Sequence, residues 1–499
     1  MENTQTTSTS LEGAAYGTTT LHPVGVTVLI CLVIALFILP RKYATWPVIL
    51  MAAWIASGQR IMVGNLNFPF LRIVLICAIL RLFFRSEYRG VRLLKLDYIV
   101  VSFFVCKFAI FNIHYMNYAA FVFVSNLILD PLCCYFFFRC LVRTWDDFAS
   151  VALAFACASL PVSLAFIIES STRNNIFYFL GGVPQLTEIR EGRLRCQGPY
   201  PHPILAGCFW ASLCPIIAAR WFTPSLSKTL TILAVPCAVI CVILSGSSTP
   251  LMGLIFVCIG FAMFPLRRNM MSVRWAILGL MVCLQLTMKG NIWSLIAKVN
   301  IVGGSTGWHR SNLMEQAYNH WHEWFLLGTN STSHWAWGLW DVTNQYILEG
   351  VRGGFLSMLL FILAIAYSFQ RIGKLNKQAI VEGDFPNLIN SWSIGVMLFV
   401  HLTSFFAVSY FGQIVNLFWI TIAVSAGLSD GRMQNVTSDD DHTMIDHDLA
   451  LHDEDQSDLH SDDFEATLHG YEYEDEYECE YEDEYTEFRA ESTGSETQE

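Results

Sequence analysis

The sequence predicts an all-α, polytopic integral membrane protein with about 12–13 transmembrane helices, two long external loops and a disordered acidic C-terminal tail. Three observations predict it. The 499-residue chain is 54% hydrophobic and only 14% charged, fewer charges than a soluble protein of this length carries. Apolar runs of roughly 15–22 residues recur along it, enough to cross a ~30 Å hydrocarbon core at ~1.5 Å per residue. The runs are continuous rather than alternating, so helices, not barrel strands, must satisfy the backbone in lipid.

The expected spans are about 23–40, 44–59, 68–84, 97–112, 118–139, 147–168, 203–219, 229–246, 250–266, 274–288, 346–368, 391–407 and 410–428. The second is short enough to be re-entrant. Residues 1–22 form a Thr/Ser-rich lead-in, expected to be disordered. It lacks a basic region and contains Glu2 and Glu12, so no cleavable signal peptide is expected. The membrane domain covers 23–428, with external loops at about 169–202 and 289–345. The tail, 429–499, holds 26 acids against two arginines, a net of −24, whereas 1–428 carries +12. Blocks of like charge with few aliphatics predict disorder there. The acidic Tyr repeat of 471–485 is a solvated tail or a docking and phosphorylation segment.

Orientation follows from basic residues on alternate loops. Arg41/Lys42, Arg85/Arg89/Arg92/Lys95, Arg139/Arg143, Arg220/Lys228, Arg267/Arg268/Arg274 and Arg371/Lys374/Lys377 fall on every second connection. This places the N-terminus outside and the tail in the cytoplasm. Arg60 is an exception, read as snorkelling toward headgroups. Of 15 cysteines most lie in apolar helices and only Cys196 is placed outside, so no disulfide framework is expected. No CxxC or HExxH pattern occurs, so neither metal nor other cofactor is expected.

Three arginines stand on the external side. Arg193 and Arg195 lie in Glu191-Gly-Arg-Leu-Arg-Cys-Gln-Gly-Pro-Tyr-Pro-His-Pro203, and Arg310 lies in Trp308-His-Arg-Ser-Asn312. Pro203 suits a first helical turn, and a helix N-terminus offers free N–H groups to an anion. Guanidinium forks beside it suit a phosphate, or else snorkel at the interface. Residues 311–327 read as an amphipathic interfacial helix capped by Ser311 or Asn312 and ended by Gly328, with tryptophan anchors. His309, His320, His322 and His334 share that loop. Asp341, Glu349 and Arg352 flank the next span, where ionisable groups mark a site or pair with one another. The turn 245–250 is a small-residue connection between two spans.

In order and spacing these segments resemble the O-antigen ligase and polymerase-like family of bacterial membrane glycosyltransferases, over roughly residues 70–425. The matching pieces are Arg195-Cys-Gln-Gly198 with His202-Pro203, the 245–250 turn, Arg310 before an amphipathic stretch, and Asn344-Gln-Tyr346 followed by Gly350 and Gly353-Gly354. Two positions depart from the family. Thr343 stands where the family has a histidine, and Ser248-Thr249 where relatives carry an arginine.

The resemblance implies transfer or polymerisation of oligosaccharide units from a polyprenyl-pyrophosphate carrier at the outer face of the bacterial inner membrane, as in O-antigen or exopolysaccharide assembly. Arg195 and Arg310, with Arg193 assisting, would hold the pyrophosphate. Asp341 or His334 would take the acceptor proton in the missing histidine's place, and Asn344 and Tyr346 would contact the glycan. Implied partners are the carrier-linked donor, a glycan or lipid-linked acceptor, membrane lipids, and a chain-length regulator or other polysaccharide-assembly protein. No nucleic-acid partner is expected. The other readings are a ligase acting on another acceptor, a polytopic transporter and a scaffold working through the acidic tail.

Overall fold

A computed structural model describes residues 19–430 apart from 57, 65, 224–227, 289 and 298–306. The lead-in up to residue 18 and the tail beyond 430 lie outside the described residues. The protein is an all-α, multi-pass membrane protein. Its helices form where the apolar runs lie: α1 (Pro23–Ile38), α2 (Trp46–Trp54), α3 (Phe70–Phe84), α4 (Lys95–Tyr115), α5 (Tyr118–Leu141), α6 (Trp145–Thr172), α7 (Pro203–Ala219), α8 (Lys228–Leu244), α9 (Ser248–Ala262) and α10 (Met270–Thr287). The long connection that follows contributes α11 (Ser294–Ala297), α12 (Gly307–Asn319) and α13 (Trp321–Trp324), before α14 (Gln345–Val381), α15 (Phe385–Phe405) and α16 (Gln413–Asp430). Among the described residues eight helices are long and apolar enough to cross a membrane, and α1, α8 and α9 are apolar but shorter.

The segment expected at 44–59 is helical only over α2, nine residues or about 13 Å. It continues as buried irregular backbone, with Ile55 and Ala56 8% and 1% exposed. Non-helical backbone survives at membrane depth only when protein covers it. The side chain of Gln59 ties this stretch down, donating to the Leu180 carbonyl and accepting from the His22 N–H at 2.8 Å. Strands β1 (Arg60–Val63) and β2 (Leu66–Pro69) then form a hairpin. Arg60 is not a snorkelling residue. It is 6% exposed, and its backbone exchanges hydrogen bonds with Thr20, so part of the expected disordered lead-in is fixed.

The centre of the bundle is α7, which packs on α8, α9 and α15, with α16 almost wholly buried. Small residues set the close approaches: Gly207 faces Pro250, Gly253 faces Ala211, and Gly260 faces Val396. Helix α10 is the opposite case, with no buried residue. Helix α14 is broken at Gly354 (φ 68°, ψ 178°), a conformation open essentially to glycine alone. The backbone freed by this break is claimed by the loop after α13. The Phe355 N–H donates to the Phe325 carbonyl, and the Val351 carbonyl accepts from the Thr329 N–H, both at 2.8 Å.

Candidate functional site

The segment expected to be the first long loop is organised by a hairpin. Strands β3 (Glu188–Arg190) and β4 (Arg193–Arg195) pair antiparallel, joined by Glu191 and Gly192, both at positive φ. That is the backbone of a two-residue type I′ turn. Charged and aliphatic residues alternate in the strands, so Glu188, Arg190, Arg193 and Arg195 share one face, with Glu188 opposite Arg195. The alternation was the signal for this hairpin.

Arg195 is 4% exposed, and its Nη1 donates to both carboxylate oxygens of Glu188 at 3.0 Å. Two contacts seat it. Its neighbour Cys196 donates its N–H to the Leu244 carbonyl at 3.0 Å. Gly246 (φ +59°) lies so close that a Cβ there would meet the Leu194 carbonyl oxygen at 2.5 Å and Arg195 Cγ at 3.2 Å. Behind the hairpin the Glu169 carboxylate accepts the N–H groups of Gln197 (3.1 Å) and Gly198 (2.9 Å) and the Thr187 hydroxyl (3.1 Å). This gives the Arg-x-x-Gly spacing a physical basis. Gly198 (φ +55°) turns the chain against Phe166, where a Cβ would meet the ring at 2.5 Å.

Helix α7 begins at Pro203 as expected, but its N-terminus is not free for an anion. The His202 ring accepts the Ile204 N–H at 3.1 Å through Nδ1. Burial, then the charge of Arg195, pushes the His202 pKa down to about 4, with Arg190 adding to the effect. At the start of α9 the cap residue Ser247 makes no side-chain capping bond among the described residues. Both key arginines reach this turn. Arg195 lies on Gly246, and Arg310 Nη2 donates to the Thr249 hydroxyl at 3.3 Å.

Arg310 lies inside the first turn of α12 rather than ahead of the helix, because α12 starts at Gly307, before the expected cap at Ser311 or Asn312. Its Nε is buried with no hydrogen-bond partner among the described residues. A buried unmet donor costs about 1–3 kcal/mol, and an incoming acceptor oxygen removes that penalty. Burial lowers the Arg310 pKa, and Arg190 lowers it further, yet a guanidinium stays charged. Arg190 likewise acts on Arg195 and His202. It was not singled out in the sequence. Arg193 is exposed, and its side chain makes no hydrogen bond among the described residues.

Among the described residues, Arg310 is the only charged one lining a cavity of about 340 Å³. Met252, Phe256, Met281, Met314 and Phe406 give its walls an apolar character, with Ser248, Thr249, Thr403 and Ser404 supplying hydroxyls. Neither Asp341 nor His334 lines it. Asp341 is exposed and makes no hydrogen bond among the described residues. His334 Nε2 meets Glu323 at 2.8 Å, in a cluster with Trp335 and His320. Glu323 is held below the usual carboxylate range. Desolvation, the largest single contribution, opposes this and is outweighed by the sum of the hydrogen bonds from Trp335 and His334 and the histidine charges.

Asn344 and Tyr346 have structural duties. Asn344 is 2% exposed and caps α14 by accepting the Ile347 N–H at 3.2 Å. The Tyr346 hydroxyl donates to the Leu402 carbonyl at 3.2 Å, and its ring packs on Phe361, Phe405 and Phe406. The Thr343 hydroxyl, at the family's histidine position, is buried without a hydrogen-bond partner among the described residues.

A feature that sequence reading missed is Lys107 on α4, whose Nζ lies 2.6 Å from Glu349 Oε2 within the bundle. Compared with known proteins, the chain matches no protein-family model and no curated sequence.

Proposed function

We propose that the protein is a membrane glycosyltransferase that moves oligosaccharide units from a polyprenyl-pyrophosphate carrier onto a hydroxyl acceptor at the outer face of a bacterial inner membrane. The observation that carries this reading is the apolar cavity with one guanidinium among its described lining residues, Arg310, bonded to Thr249 at the start of α9. An amphiphile with an anionic head and a hydrocarbon chain is the ligand such a cavity suits. The wholly unburied α10 beside it offers the chain a lipid-facing surface to follow.

In the reaction the acceptor oxygen bonds to the anomeric carbon while the bond from that carbon to the pyrophosphate oxygen breaks. Negative charge grows on the leaving pyrophosphate. Arg310, the Thr249 hydroxyl and the N–H groups opening α9 meet it on one side, and Arg195 and Arg190 on the other. Glu188 is half exposed and must swing away from Arg195 when phosphate arrives. Preorganised donors in a dry site contribute about 3–4 kcal/mol each to such a transition state. The acceptor proton goes to a carboxylate, for which Asp341 is the better candidate, since His334 is already engaged by Glu323.

The test is an assay of glycan polymer and carrier-linked donor in Arg195→Ala, Arg310→Ala and Arg310→Lys. Polymer should fall at least ~100-fold and donor accumulate in the alanine variants. Lysine should rescue poorly, because it lacks the planar fork. Full activity in all three would refute the reading. The broken α14 with a buried ion pair is also what a transporter would show. A transporter would move carrier-linked donor without consuming it.

A further inference from the structure

Away from the arginines, the connection between α10 and α14 gathers two histidines around one carboxylate. Glu323 Oε2 accepts from His334 Nε2 at 2.8 Å and from Trp335 Nε1 at 2.9 Å. An ionised carboxylate can only accept, so Nε2 of His334 carries the hydrogen and Nδ1 is the atom that takes a further proton. The His320 ring stacks on Trp335 with centroids 5.4 Å apart, and lies 5.9 Å from the His334 ring. Its Nδ1 donates to the Gln316 carbonyl at 2.9 Å.

The cluster ties two stretches of chain together. Glu323 belongs to α13, whereas His334 and Trp335 belong to the loop that leads to α14. Each stretch is rooted in the same small core. Trp335 and Leu339 are buried with Leu313 and Ala317 of α12 and with Leu348 and Val351 of α14. Trp324, beside Glu323, donates to the Ala317 carbonyl at 2.9 Å and lies over Gly350, where a Cβ would meet its ring at 2.7 Å. Between the two stretches runs 325–329, which closes the break in α14. The strength of the Glu323 contact therefore bears on how firmly that break is covered. The His334 side chain is 54% exposed, so protons reach it from solvent.

Charge on His334 strengthens the contact. Its hydrogen bond to Glu323 becomes charge-assisted at both ends, and such bonds are roughly twice as strong as neutral ones. The charged groups that act on Glu323 are His334 and His320. From α12 and α14 the cluster meets apolar side chains and the Gln316 and Ala317 carbonyls. Two histidinium rings this close repel, so the first proton gives most of the gain. Both partners are charged only within a window. As pH rises through the ordinary histidine range, about 6.5, the imidazolium is lost. As pH falls, Glu323 takes a proton only below the usual carboxylate range.

We propose that Glu323 and His334 form a proton-tightened clasp, which holds the 332–342 loop and the 325–329 seal more firmly onto α12 and α14 in mildly acid solution. Glu323 is a positioning residue in this device. The inference stands apart from the glycosyltransferase reading, and its test uses no activity.

The experiment is hydrogen–deuterium exchange of the purified full-length protein in detergent, at about pH 5.5 and about pH 8, on either side of the histidine range. Labelling times are scaled to the intrinsic exchange rate at each pH. The reporters are the N–H groups of Thr329, Trp335 and Leu339, which donate to the carbonyls of Val351, Thr332 and Ala336. Their protection in the wild type should be at least ~3-fold greater in acid, the scale of a half-exposed ion pair, while peptides from α7 stay unchanged. Glu323→Gln keeps an acceptor for Trp335 without the charge. His334→Gln keeps a donor near Nε2 without the titration. Both should match the wild type at pH 8 and gain nothing in acid. Should one of them lose the protection of the loop outright, the other carries the comparison. Equal protection of the wild type at the two pH values would overturn the inference. So would a gain in either variant as large as that of the wild type, or a wild-type gain shared equally by α7.

Discussion

His202 shows how a single residue can be set by the charges around it. Its ring caps α7 only while Nδ1 is free to accept the Ile204 N–H. Folding lowers its pKa from the ordinary 6.5 to about 4, through burial first and Arg195 next. The unfolded chain therefore binds the extra proton between those values. The stabilisation is intact above about pH 6.5 and drains away as pH falls toward 4, amounting to about 3 kcal/mol at ~1.4 kcal/mol per pKa unit. His202→Asn keeps a capping oxygen and removes the titration. Melting curves in detergent at pH 7 and pH 4.5 should show a larger acid-induced loss in the wild type than in the variant. Equal losses would mean that the cap does not couple to these arginines. Burial does most to keep His202 neutral, and the arginine that adds to it, Arg195, would also greet a phosphate.

At the scale of elements, the site depends on how the β3–β4 hairpin is seated on the turn before α9. Gly246 is the seat, with positive φ and no room for a Cβ beneath Leu194 and Arg195. Gly246→Ala should cost about 1–3 kcal/mol in stability and lift Arg195 away from α9, lowering transfer nearly as far as Arg195→Ala does. Gly279→Ala in α10, where a Cβ meets nothing within 4 Å, is the control and should be neutral. Matching activity and melting in the two variants would show that the hairpin is not held this way. The helices were legible in the sequence because lipid leaves the backbone few choices, and α7 begins at the residue its proline marks. The hairpin was legible only in the three-residue alternation of Glu188–Arg190 and Arg193–Arg195, too short to stand out in a loop. Lys107 was silent because its partner Glu349 lies 242 residues away in the chain. Arg190 was masked by Arg195, whose spacing to Gly198 matched a motif while its own did not. The cavity belongs to no single segment, since α9, α10, α12 and the end of α15 build it together.

At the scale of the whole molecule, arginines that the sequence reading used only for orientation also tie elements together. Arg41 pairs with Asp147 at 3.4 Å, and Arg139 with Asp97 at 3.1 Å and Asp430 at 3.3 Å, while Arg81 within α3 pairs with Glu87 at 2.7 Å. The Arg139–Asp97–Asp430 group is about 1% exposed and joins α5 to the last residue of α16. Asp430 also accepts the Arg92 N–H at 3.3 Å. The acidic run that begins at residue 430 thus opens with a carboxylate that belongs to the membrane domain, and the functional boundary of the tail falls after it. Two variants separate these roles. Deletion of 435–499 removes most of the tail's negative charge and leaves the Asp430 network whole, so melting temperature and glycan transfer should match the full-length protein. Asp430→Asn in the full-length chain leaves Arg139 with one carboxylate of two, and should lower stability by about 3 kcal/mol, as loss of one partner from a buried ion group does. A truncated protein that melts normally yet transfers nothing would place the tail in the reaction and favour the scaffold reading. An Asp430→Asn protein as stable as the wild type would mean that Asp97 alone satisfies Arg139, and that α16 is held by its apolar packing.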